Sequence, residues 1–230
     1  MQAMILAAGL GLRMQPLTNN LPKPLLKVGK YTLIEHQLIK LRAAGVNKVV
    51  INHCYLGHMI EAHLGNGSRL GIEIDYSPEG ERLETGGGII KALGKFKGES
   101  FIVVNADVWT NFDFRLLPKI EPKTDLAHLV LISHAPHNPS GDFYLSSAGR
   151  IQEIATDEIT KFTFAGVSVM HPKLFADLEA DPQPLRPILS SAIECGLVGG
   201  QIHRGTWLDV GTPERLEKLR LSLEETHGDE

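Results

Sequence analysis

Apolar and polar positions alternate between two periods along the first half of the chain. Residues 3–7 form a short apolar run, read as a strand, that breaks at Gly9 and Gly11. Over residues 32–44 the apolar positions Leu33, Ile34, Leu38 and Leu41 share one helical face, and Gly45 closes the helix. Strands are expected at 48–52 and 72–76, with a helix at 56–64 between them. A helix at 87–93 and a strand at 101–105 follow, the strand ending on polar residues. This βαβα rhythm calls for an α/β fold: a Rossmann-like, mixed but mostly parallel sheet flanked by helices.

The rhythm changes after Asp113. Strands are expected at 126–134, 142–146, 151–155 and 163–170 with few helices between them, and residues 147–150 read as a hairpin connection. Antiparallel strands here would build a small lid-like extension beside the parallel sheet. A proline-rich helix at 184–194, a strand at 198–203, a helix at 213–225 and a frayed tail complete the reading. A chain of 230 residues, 43% of them hydrophobic, suits a single domain spanning 1–230.

The net charge of −4 gives no basic surface for nucleic acid or an anionic membrane. The two cysteines, Cys54 and Cys195, form neither a metal-ligand spacing nor a disulfide framework. No run approaches the ~18 apolar residues of a membrane span. The expectation is a soluble cytoplasmic protein, monomeric or a small homo-oligomer.

Chemistry concentrates near the N-terminus. After the first strand come Gly9, Leu10, Gly11, Leu12, Arg13 and Met14, then Pro16-Leu17-Thr18 and Pro22-Lys23-Pro24. Glycines let backbone N–H groups approach an anion closely. Arg13 and Lys23 add a fork and a point charge suited to polyphosphate, and the flanking prolines limit the freedom of Lys23. A dinucleotide fingerprint is excluded because Met14 stands where its third glycine belongs, and no Walker A run occurs.

Asp107 follows the strand at 101–105, at its carboxyl end, where open α/β sheets bind ligands. A carboxylate there needs a partner, and Mg²⁺ is a suitable one. Asp209 precedes the last helix, where Thr212 already provides an N-cap and Pro213 the first turn, so Asp209 is expected to be free for another role. His53, His58 and His63 fall five apart, which does not put ligands on one helical face. They are read as scattered surface histidines.

The glycine-arginine loop and the Pro-Lys-Pro clamp together resemble the opening signature of the sugar-phosphate nucleotidyltransferases. Leu83-Glu84-Thr85-Gly86-Gly87-Gly88, Val104-Asn105-Ala106-Asp107, Phe164-Ala165-Gly166-Val167 and Trp207 to Thr212 follow in the family's order. The resemblance implies transfer of a nucleotidyl group from a nucleoside triphosphate to a sugar 1-phosphate, with release of pyrophosphate. It implies a nucleotide-binding part at about 1–112 and a sugar-binding part at about 113–230.

It further implies Arg13, Lys23 and Asp107 as catalytic residues and Mg²⁺ held by Asp107 and Asp209. Ala8, Gly9, Gly11, Leu12, Arg13, Lys23, Thr85, Gly86 and Gly88 would bind the nucleotide, and the glycine triplet is expected to open a helix. Asn105, Gly141, Glu153, Lys161 and Asp209 would bind the sugar phosphate. Ile154 stands where many hexose enzymes carry a lysine, and Lys161 would replace it. The Asn138 to Phe143 loop and the Leu83 to Gly88 turn look most like those of N-acetylmuramate-1-phosphate uridylyltransferases, which use UTP in cell-wall recycling. Arg204 or Lys161 would then meet the substrate's lactyl carboxylate. Mannose-1-phosphate guanylyltransferases and glucose-1-phosphate uridylyl- or thymidylyltransferases are the alternative. A silent nucleotide-binding regulatory module is a third reading, opposed by the presence of all four charged residues.

Overall fold

The structure is a computed structural model that describes residues 1–133, 135, 137–154 and 160–227, with side chains to 224. The first half runs β1 (Gln2–Leu6), β2 (Lys27–Val28), β3 (Tyr31–Thr32), α1 (Leu33–Ala43), β4 (Lys48–His53), α2 (Gly57–Leu64), β5 (Glu73–Pro78), α3 (Glu84–Ala92) and β6 (Phe101–Asn105). The second half runs β7 (Val108–Thr110), β8 (Ala127–Ile132), β9 (Tyr144–Leu145), β10 (Ile151–Gln152), β11 (Thr163–Met170), α4 (Leu185–Glu194), β12 (Val198–His203), β13 (Trp207–Asp209) and α5 (Pro213–His227). The strand ends expected at His134 and Ala155, and the tail expected beyond 227, lie outside the described residues.

Seven strands form one sheet in the order β12-β8-β11-β6-β1-β4-β5, and only β11 runs against the rest. Side chains alternate between its faces with the strand period of two. Ile5, Ile51 and Val104 pack with Ile34, Leu38 and Leu41 of α1 and Ile60 of α2. Met4, Val50 and Val103 pack with Ile89 of α3 and Leu189 of α4. A third cluster joins Met14 and Leu26 of the N-terminal loop to Val210, Leu216 and Leu219 around α5. The two ends of the chain therefore brace one loop between them.

The antiparallel extension is smaller than the sequence suggests. β8 and β11 enter the main sheet, and β12 joins it beside β8; of the strands expected at 126–170, β9 and β10 form a separate ribbon among the described residues. The apolar content explains this: β8 and β11 are buried along nearly their whole length and need both faces covered. The helix at 87–93 also begins earlier, at Glu84, so the glycine triplet lies inside α3. The reason is close packing: a Cβ on Gly86 or Gly87 would lie 2.8 Å from the Gln183 carbonyl oxygen or 2.1 Å from that of Asp181. α3 is thus seated directly on the chain that leads into α4.

The short ladders matter most for function. β7 pairs antiparallel with β13, setting Val108 opposite Asp209, and the Val210 amide donates to the Asp107 carbonyl at 2.9 Å. α1 secures β7 from below, with Gln37 Nε2 donating to the Val108 carbonyl and Lys40 Nζ to that of Thr110. The Lys40 ammonium also stands 4.6 Å from the centre of the Trp109 ring, and burial lowers its pKa to about 8.

Candidate active site

The sheet order places β1 between β4 and β6, so the chain leaves β1 in one direction and returns on its other side. Such a switch point opens a crevice at the carboxyl ends of the strands. A cleft of about 250 Å³ occupies it, lined by Ala7, Ala8 and Gly9 after β1, Asn52 at the end of β4, and Asn105, Ala106 and Asp107 after β6. Lys23 and Pro24 form another wall, and Arg82, Glu84, Thr85 and Pro184 complete it.

The loop after β1 is held from several sides. The Ala7 amide donates to Asn52 Oδ1 at 3.0 Å, while Asn52 Nδ2 donates to Glu79 Oε1 at 2.7 Å. Glu79 Oε2 accepts the Leu83 amide at 3.1 Å. Asn52 and Glu79 are both buried and thus tie the β1 loop to the segment entering α3. Gly88 belongs to this strut, because its Cβ would lie 2.6 Å from Glu79 Oε1 and 2.8 Å from Asn52 Nδ2. The Gly86 and Gly87 amides both donate to the Gln183 carbonyl. Thr85 therefore lines the cleft, while Gly86 and Gly88 shape it from behind. Glu84 opens α3 with φ +58°, a strained setting for a residue with a side chain, and it faces the ligand space.

Gly9 is exposed with open space about its Cβ position, leaving its backbone approachable. Gly11 has φ +64° and packs beneath the loop against Thr18 and Lys23. Leu12 and Arg13 follow in an exposed 3₁₀ turn anchored by the buried Met14. Arg13, Leu12 and Gly11 flank the cleft without lining it.

Lys23 sits in a tight turn opened by Pro22, almost wholly buried, with its Nζ 2.5 Å from Asp107 Oδ2. Asp209 is not the free carboxylate that its position before a capped helix suggests. Thr212 does cap α5, but Asp209 Oδ2 accepts from Arg215 Nη1 at 2.8 Å and lies 3.5 Å from His137 Nε2. His137 in turn stacks on Trp207 of β13, and the Trp207 indole donates to the Ala165 carbonyl. Each aspartate thus meets a cation through one oxygen.

A second chamber of about 430 Å³ adjoins the cleft and shares Leu6, Thr85, Asn105 and Pro184 with it. Its other walls include Asp142, Phe143, Phe164, Met170 and Arg186. A break in strand register between Phe164 and Ser168, with Gly166 at φ +70°, lets the Asn105 side chain pack against the β11 backbone.

Of the expected sugar-phosphate residues, Asn105 lines both cavities, whereas Gly141, Glu153, Lys161 and Asp209 line neither. Gly141, at φ +63°, crosses Lys161 too closely for a Cβ. The Ser190 hydroxyl lowers the pKa of Glu153, outweighing burial with the help of Arg186. Lys161 Nζ lies 5.4 Å from the centre of the Tyr144 ring, and Arg204 is exposed after β12.

Asn52, Glu79, Arg82 and Arg186 are additions the sequence did not yield. A polar residue ending a buried strand marks Asn52, but only the pairing of β4 with β1 brings it to the cleft. His53 is also buried rather than superficial, with its Nε2 2.7 Å from Glu61 Oε1.

A switch-point cleft with a glycine loop, a buried lysine and a strand-end aspartate defines a nucleotide-binding α/β protein. Comparison with known proteins specifies it further. The chain belongs to the Nucleotidyl transferase family, whose model matches residues 2–226.

It is 44% identical over 225 residues to the N-acetylmuramate alpha-1-phosphate uridylyltransferase of Neisseria meningitidis serogroup B, covering 96% of this chain and 97% of that one. The Caulobacter vibrioides enzyme of the same name is 34% identical, with 92% of each chain covered. A mannose-1-phosphate guanylyltransferase of Mycobacterium tuberculosis is 28% identical over 92% of this chain but 61% of its own length. Among solved structures, HddC from Yersinia pseudotuberculosis in complex with GMP-PN shares the fold at a TM-score of 0.77 and 19% identity, with 96% of this chain and 99% of that chain covered. Among the described residues no helix is long and apolar enough to cross a membrane.

Proposed function

We propose that the chain transfers the uridylyl group of UTP to N-acetylmuramate 1-phosphate, giving UDP-N-acetylmuramate and pyrophosphate. The observation that carries this reading is the 44% identity, over almost the whole of both chains, with the Neisseria uridylyltransferase. A crevice presenting Lys23 and Asp107 beside an approachable glycine backbone suits that chemistry. On this reading the product feeds peptidoglycan recycling in the cytoplasm.

The reaction asks for alignment and charge neutralisation. A sugar 1-phosphate has its second pKa near ~6, so at neutral pH it is already a dianion and needs no general base. One of its oxygens attacks the α-phosphorus of UTP. The bond from that phosphorus to the β-phosphate oxygen breaks, and pyrophosphate leaves with the electron pair. Lys23 approaches the α-phosphate by exchanging Asp107 for a phosphate oxygen, and Arg13 offsets the charge of the triphosphate from the rim.

Asp107 and Asp209 are the residues that would hold Mg²⁺. One carboxylate just before β7 and another on its partner strand β13 suit an ion that takes few protein oxygens and completes its shell with phosphate and water. Bound there, the ion supplies charge neutralisation for the phosphates. Lys23 and Arg215 are the cationic partners that now balance those carboxylates.

Pyrophosphate release with UTP and N-acetylmuramate 1-phosphate tests the reading, run with Mg²⁺ and again after chelation. Release only when both substrates and the metal are present supports it. Binding of UTP without release would favour a regulatory module.

A further inference from the structure

Two of the charged groups that wall the second chamber, Asp142 and Arg186, are engaged within the protein. Asp142 accepts from Asn138 Nδ2 at 2.9 Å and from the Phe164 amide at 2.8 Å. Arg186 donates to Glu153 at 3.0 Å and to the Asp142 carbonyl at 3.2 Å. Ser168 is different. It lies on β11 between Val103 of β6 and Leu129 of β8, on the chamber wall, with none of its surface exposed. Its Oγ has no hydrogen-bond partner among the described residues.

A buried hydroxyl with no partner is costly, and its orphaning next to a cavity marks a place where a ligand completes the bond. The surroundings restrict the ligand. Val103, Phe164, Met170 and Leu189 make the chamber beside Ser168 largely apolar. A bare sugar hydroxyl would meet one hydrogen-bond partner and several hydrocarbon walls. An acetamido group matches both features, since its carbonyl accepts one hydrogen bond and its methyl prefers apolar contact. Asn105, shared with the catalytic cleft, holds the connection between the two cavities.

We propose that Ser168 is a specificity-determining residue whose hydroxyl donates to the 2-acetamido carbonyl of the sugar phosphate, with the acetyl methyl seated against Val103, Met170 and Leu189. This inference rests on the uridylyltransferase reading and refines its sugar side. An enzyme so built favours N-acetylated sugars over their 2-hydroxy counterparts independently of any contact to the lactyl group.

The test is a steady-state comparison of the parent with Ser168→Ala and Ser168→Cys, using UTP with the 1-phosphates of N-acetylmuramate, N-acetylglucosamine and glucose. Loss of one neutral hydrogen bond corresponds to about a tenfold rise in KM. That rise is expected for both acetylated substrates in Ser168→Ala, with a smaller one in Ser168→Cys, whose thiol is a weak donor. KM for UTP and for glucose 1-phosphate stays unchanged. The melting temperature of Ser168→Ala equals or exceeds the parent's, because no native bond is removed, which separates the effect from misfolding. Unchanged KM for the acetylated sugars, or an equal rise for glucose 1-phosphate, would overturn the inference while leaving the uridylyltransferase reading intact. A parent enzyme that ignores N-acetylmuramate 1-phosphate and turns over a sugar lacking the acetamido group would overturn both.

Discussion

Lys23 and Asp107, 84 positions apart in the chain, meet at 2.5 Å between Nζ and Oδ2 across the mouth of the cleft. Lys23 is positioned by a proline-flanked turn resting on α1, and Asp107 by the end of β6 and the β7–β13 ladder. Both groups line the cleft, so Lys23 stands at the ligand space before substrate arrives and needs only to exchange one carboxylate oxygen for a phosphate oxygen.

Replacing Lys23 should therefore damage turnover far more than folding. Lys23→Ala is expected to lower kcat by about 10²–10³-fold, the range for removing one preorganised electrostatic group. Its circular dichroism should match the parent's. A rate within threefold of the parent in the folded variant would contradict the role given to Lys23.

The strut through Asn52 predicts a mixed effect. Asn52→Ala leaves the Ala7 amide and the Glu79 carboxylate without their buried partner, at a cost of about 2–3 kcal/mol in stability. The loosened loop should also raise KM for UTP while sparing KM for the sugar phosphate. Urea unfolding and paired KM measurements check this, and an equal rise in both KM values would argue against a nucleotide-side role.

Much of this arrangement was legible in the residues. Helix α1 was readable because its apolar positions keep one face, and the structure adds a Thr32–Glu35 capping box at its start. β6 and β11 were readable as dense apolar runs. β7 and β13 were not, because three-residue strands have no period of their own and exist only by pairing with each other. That pairing brings Asp209 beside Val108, so the proximity of the two aspartates rests on long-range contacts that no local pattern encodes. The glycine triplet was read as the opening of a helix, although its positions in α3 answer to Gln183, Asp181 and Glu79, which are remote in sequence. Arg186 has no local signature, because a single arginine in a helical run has a surface reading until α4 is laid along the chamber.

Gly166 offers a test of how β11 supports the site. It has φ +70°, and an added Cβ would lie 2.8 Å from Asn105 Nδ2. Gly166→Ala is expected to lose about 1–2 kcal/mol of stability through backbone strain. By displacing Asn105 it should also raise KM for the sugar phosphate. Thermal unfolding and steady-state kinetics report the two effects separately.

Glu35 links stability to pH at a distance from the cleft. Burial by itself would raise its pKa, but the Thr32 amide, the Arg69 guanidinium and the Thr32 hydroxyl outweigh burial and hold it at about 2. The folded value lies below the ordinary 4.5, so the stabilisation is complete above about pH 4.5 and is lost as pH falls toward 2. Its size at pH 7 is on the order of 3 kcal/mol. Urea unfolding of the parent and Glu35→Gln should differ by that amount at pH 7 and converge near pH 2. Curves that stay parallel across the range would contradict the coupling.

The central claim is most directly tested in one competition reaction. The protein is incubated with Mg²⁺, equal amounts of UTP, dTTP, GTP and CTP, and equal amounts of N-acetylmuramate, N-acetylglucosamine, glucose and mannose 1-phosphates. Mass spectrometry then identifies the first nucleotide sugar to accumulate. UDP-N-acetylmuramate as the leading product is the predicted result. GDP-mannose, or a glucose nucleotide, as the leading product would contradict the account.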